Sequence, residues 1–135
     1  MIIASDPILV TATKKELHDF LIDCNHYEKL LPKDKISNFI STVSECSFKV
    51  QGGITITLIQ NGFDSNGNIL LRSGEGSPFP FTLKINLIEV SAETSGNIEF
   101  DGELTAFLAM VAAKPLQNLF NFMAEKIIEE FTVKN

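Results

Sequence analysis

Between residues 79 and 87 the chain alternates. Phe79, Phe81, Leu83, Ile85 and Leu87 fall on one side, with Thr82, Lys84 and Asn86 opposite. A period of two marks a strand with one face on a core and the other toward water. Shorter runs of the same kind, ITITLI, NILL and NIEF, stand among Gln51-Gly52-Gly53, Asn66-Gly67, Gly74-Glu75-Gly76 and Ser95-Gly96-Asn97. Such clusters are turn chemistry, so residues 36–104 are expected to form one antiparallel meander. An earlier strand is expected over residues 2–10. Asp6-Pro7 within it marks an edge position or a bulge, because proline donates nothing to a ladder.

The period changes twice. After Thr13-Lys14-Lys15-Glu16, which has the form of a capping box, Leu17, Phe20, Leu21 and Cys24 recur at helical spacing. This predicts an amphipathic helix with Cys24 on its buried face. A second short helix is expected from an N-cap near Asn25 to Leu31, where Pro32 stops it. Helix returns after Leu104, with Thr105 as cap. Leu116, Leu119, Phe120, Met123, Ile127 and Phe131 form an apolar stripe. Gln117, Asn118, Asn121, Glu125 and Glu129 lie mostly off it. Pro115 either kinks this helix or opens the first turn of another. The order defines an α+β fold: a strand, two short helices, about six further strands and a long C-terminal helix.

Composition narrows the function classes. The 135 residues, 44% hydrophobic and 21% charged, suit a single folded domain spanning 1–135. A net charge of −6 argues against nucleic acid or an anionic membrane surface as partner. FLAMVAAKPLQNLFNFM, residues 107–123, is the oiliest segment, but Lys114, Pro115, Gln117, Asn118 and Asn121 interrupt it, so it is not expected to span a bilayer. MIIASDPILV has no basic stretch and is not expected to act as a secretory signal. A cytoplasmic protein with Cys24 and Cys46 as free, inert thiols is the expectation.

Several strings resemble the START-like superfamily, also called Bet v 1-like or SRPBCC. VTATKKELHDFLID followed by YEKLLP is similar to the family's opening strand, helix, aspartate and proline-ended second helix. GELTAFLAMVAAKPLQNLF is similar to its last strand running into the C-terminal helix. Small bacterial single-domain members often carry Asn-Pro where this chain has Thr105-Ala106. The resemblance implies a helix-grip fold, a curved antiparallel sheet of six to seven strands wrapped around the long helix. It also implies a cavity between helix and sheet, where relatives hold lipids, sterols, quinones or aromatic compounds. Other relatives are polyketide cyclases or bind proteins.

On that implication the cavity lining is Tyr27, Leu31, Phe81, Leu83, Phe107, Met110, Leu116, Leu119, Phe120 and Met123. The same apolar positions serve equally as ordinary core, and Tyr27 as a half-buried anchor. No cofactor is expected. The spacing of His18, Cys24 and His26 matches no zinc pattern, so no metal is expected and the histidines are read as exposed. No nucleophile elbow or phosphate loop is present, and Arg72, the lone arginine, reads as a solvated strand-end charge. The leading expectation is a non-enzymatic binder of a small apolar or amphipathic molecule. A protein-interaction module and a cyclase-like enzyme are the alternatives. The module would show a filled core and a large exposed apolar patch. The enzyme would show titratable cavity groups with displaced pKa values.

Overall fold

In the computed structural model, residues 1–50 and 53–132 are described. The strands are β1 (Ile2–Ala4), β2 (Ile8–Val10), β3 (Ile36–Ser41), β4 (Glu45–Val50), β5 (Ile54–Phe63), β6 (Ile69–Ser73), β7 (Phe81–Val90) and β8 (Glu93–Gly102). Helix α1 spans Lys14–Leu21, a 3₁₀ helix spans Cys24–Leu30, and α2 spans Ala106–Glu130. All eight strands join one antiparallel sheet in the order β1-β8-β7-β6-β5-β4-β3, with β2 also on β8. The alternation at 79–87 has its expected consequence: all five apolar side chains are buried.

The first strand is two strands. From Ala4 opposite Glu99 to Ile8 opposite Gly96, four steps on one side face three on the other, which is a bulge at the Asp6-Pro7 position. Ser5 repairs the ladder there. Its N–H donates to Ile98 O at 2.8 Å and its Oγ accepts from Ile98 N at 2.9 Å. The remaining backbone groups are met by α2. Asp6 N donates to Asn121 Oδ1 at 2.8 Å, and Gln117 Nε2 donates to Ala4 O at 2.8 Å.

The capping box at Thr13 and Glu16 forms as expected, and Thr105 Oγ1 caps α2 by accepting from Leu108 N at 3.2 Å. α2 runs through Pro115 as one helix. Three expectations need correction. The second helix is 3₁₀ and its cap is Asp23, whose carboxylate accepts from Asn25 N at 3.0 Å. Cys24 belongs to that helix, since α1 stops at Leu21.

The third concerns Ser95-Gly96-Asn97, which is mid-strand in β8, not a turn. The β7–β8 hairpin turns at Ser91 and Ala92, both at positive φ, as a two-residue loop of that hand demands. Gly96 is needed for close approach: a Cβ there would lie 1.7 Å from Asn86 O. Asn66-Gly67 is a turn as expected, held by Asp64, whose Oδ1 accepts from Asn66 N and Asn68 N. Of Gln51-Gly52-Gly53, the first two lie outside the described residues, and Gly53 turns at positive φ.

Candidate functional site: a groove beside Pro115

Around Pro115, α2 shares two cavities with the end of β4 and the start of β5. A cavity of about 270 Å³ lies on one side of Pro115, walled by Pro32, Val50, Pro115, Leu119 and Phe122, with Lys35 and Asn118 at its polar edge. On the other side is a cavity of about 480 Å³, walled by Ile54, Pro78, Leu108, Val111 and Pro115 among others. Pro115 is common to both. Proline lacks an N–H, so the Val111 carbonyl, four residues back, loses its helical donor where it borders the larger cavity. The groove is thus mostly apolar with a few polar groups, the usual make-up of a small-molecule site.

The centre under the helix is filled. Phe81, Phe100 and Phe120 stack in series, with ring centroids 5.3 and 5.4 Å apart, and Phe79 closes on Phe100 at 6.2 Å. Among the residues expected to line a cavity, only Leu119 borders the groove. Leu31, Phe81, Leu83, Leu116, Phe120 and Met123 are buried in the packed core. Phe107 and Met110 are corrections: they are 71% and 83% exposed, as is Val111 by half. At this end Leu104, just before α2, and Leu108 within it pack partly buried against the core, and full burial begins at Ala112. The periodicity that marks an apolar helix face does not say where the sheet beneath it ends.

Tyr27 is fully buried, not a half-buried anchor, and its hydroxyl donates to Leu21 O at 2.9 Å. Burial pushes its phenol well above the ordinary range. The histidines are half-buried, not exposed. His18 Nε2 meets Gly67 O at 2.6 Å and its ring stacks on Phe63, while His26 Nδ1 meets Phe20 O at 2.7 Å and stacks on Phe20. Arg72 is exposed, as expected.

The sequence reading missed the remaining lining residues. Pro32, Lys35, Asn118 and Phe122 lie off the helical stripe or in connections, so no periodicity marks them, and Val50 alternates with Cys46 and Phe48 in β4 like any core position. Cys24 and Cys46, expected as free thiols, are both buried, and their segments meet where Cys24 N–H donates to Val43 O at 2.9 Å.

No helix among the described residues is long and apolar enough to cross a membrane. No family model matches the chain, and no curated protein sequence matches it. Solved structures do. A START superfamily protein from Mycobacterium smegmatis superposes with a TM-score of 0.66 at 11% identity, over 96% of each chain. TTHA0849 from Thermus thermophilus gives 0.74 at 11% identity over 97% of each, and the KanY protein, solved by NMR in solution, 0.75 at 10% over 97% of each. The chain therefore has the START-like, helix-grip fold that the local strings imply.

Proposed function

We propose that this chain binds a small apolar or amphipathic molecule, a lipid, quinone or aromatic compound, in the groove between α2 and the β4–β5 end of the sheet. The observation that carries this reading is the pair of cavities sharing Pro115, next to a helix whose other contacts are closely packed. Affinity would come from covering apolar ligand surface against Val50, Leu119, Phe122 and Leu108, with Lys35 and Asn118 orienting a polar end.

The test is a thermal-shift series with palmitate, a menaquinone and naphthalene. A ligand that binds only the folded chain stabilises it by about 2.7 kcal/mol at a hundredfold excess over Kd. Asn118 is exposed, so Asn118→Trp should fold normally while its indole fills the groove, and it should lose most of the shift. If none of the three compounds moves the wild-type transition, the reading fails.

A second reading, a protein-interaction module, is favoured by one observation: a filled centre together with exposed Phe107, Met110 and Val111 on one stretch of α2. The catalytic alternative has less support, because the buried groups with displaced titration, Cys24, Cys46 and Tyr27, are not among those lining the groove.

A further inference from the structure

Two cavities meet at Pro115, and of the side chains that line them only Lys35 carries a charge. Its place is set by the backbone. Lys35 N–H donates to Pro32 O at 2.9 Å and Ile36 N–H to the same oxygen at 3.2 Å, so the chain turns tightly from Pro32 into β3. Ile36 is the cross-strand partner of Val50. Lys35 is thereby tied to two apolar walls of the smaller cavity, with the Asn118 amide on the same lining. It is exposed, and no ion pair among the described residues includes it. Lys126 is the contrast. It stands 5.3 Å over the ring of Phe122, another wall, but Glu129 pairs with it at 2.9 Å. Asp34 and Lys49 line a separate cavity of about 290 Å³ that Lys35 also borders, and neither lines the groove.

We propose that the groove selects a single-chain amphiphile with an anionic head, a long-chain carboxylate, and that Lys35 reads the charge. The selection rests on the groove being the binding site, as proposed above, and names the class of molecule that enters it. A ligand that covers an apolar groove strips water from the polar groups at its edge, and a stripped ammonium needs a partner. A neutral head offers no charge in return, and a cationic head repels. A carboxylate accepts charge-assisted hydrogen bonds from the Lys35 ammonium and the Asn118 amide, while its chain lies along Leu119 and Phe122. Among ligands with the same chain, specificity is then a difference that falls on the head group. The net charge of −6 repels anions at a distance. At physiological ionic strength that field fades over about 8 Å, so the charge beside the ligand decides.

The experiment titrates decanoate, decanol and decyltrimethylammonium into the protein by calorimetry, three probes of similar chain length that differ in head charge. Wild type should bind decanoate about tenfold or more tightly than decanol, the worth of one hydrogen bond to a charged group, and decyltrimethylammonium weakest. In Lys35→Gln the difference between decanoate and decanol should disappear. Lys35→Arg should keep it, and Lys35→Glu should turn the preference toward decyltrimethylammonium. Lys35 is exposed, so all three variants should melt near the wild-type temperature. Asn118→Trp, which fills the groove, should weaken decanoate and decanol alike. Equal binding of decanoate and decanol by wild type, or a preference for decanoate that survives in Lys35→Gln, would overturn the charge selection and leave the groove reading standing. Decanoate binding untouched by Asn118→Trp would place the anion elsewhere and overturn it as well. If none of the three probes binds, the groove reading and the charge selection fall together.

Discussion

Met123 is 1% exposed, on the face of α2 that meets the aromatic stack, and it borders neither cavity of the groove. A tryptophan there adds volume where close-packed atoms already stand, and overpacking of this kind costs about 1–3 kcal/mol. Met123→Trp should unfold at correspondingly lower denaturant. A transition at the wild-type midpoint would mean that space lies beside this side chain after all. The same substitution at Asn118 should cost little, because its side chain already faces the groove and solvent. The contrast between two helix positions five residues apart separates packed core from open groove.

At the scale of elements, the join between α2 and the interrupted first strand matters most. Gln117 and Asn121 are polar residues in an oily helix, and their task is to serve the backbone that the bulge leaves unpaired. Removing either should cost about 0.5–1.5 kcal/mol, the usual net worth of one hydrogen bond. Gln117 Nε2 also donates to Asn121 Oδ1 at 3.1 Å, so the two side chains act as a unit. Chemical denaturation of Gln117→Ala, Asn121→Ala and the double variant should therefore show a combined loss smaller than the sum of the single losses. Strict additivity would show that the two amides work independently. The placement of these polar residues off the stripe was legible from spacing. Their target was not, because the strand they serve lies more than 110 residues away.

Across the whole molecule, order is unevenly distributed. β7 and β8 pair along ten residues each and bury both Ile85 and Ile98 completely. The first turns of α2 leave Phe107, Met110 and Val111 in solvent. Local opening follows buried contact, so amide hydrogen exchange should be slowest in β7 and β8 and fastest, among helical amides, at residues 108–111. Ligand in the groove should slow exchange near Pro115 first. Protection of residues 108–111 equal to that of β8 in the free protein would mean that something covers the exposed patch in solution, which would favour the interaction-module reading. The net charge of −6 keeps copies of the chain apart and works against that patch associating with itself.

Periodicity and punctuation by themselves determined most of the elements and their order. Alternation at 79–87 placed β7, the Thr13 and Thr105 signals placed both helix starts, and the stripe from Leu116 to Ile127 named the buried side of α2. These features are local, set by bonds and contacts within a few residues, so they can be read along the chain. Gly96 shows the limit. As a sequence signal it means a turn, and only the approach of the neighbouring Asn86 carbonyl reveals that it is a glycine forced on the middle of a strand. The groove and the meeting of the two cysteine segments were likewise decided only by tertiary structure. A cavity is space that packing leaves unfilled, and it depends on how α2 stands to the β4–β5 end, which no single segment encodes. The segments of Cys24 and Cys46 meet because the 3₁₀ helix folds back onto the β3–β4 hairpin, a long-range contact between two segments that each look unremarkable alone.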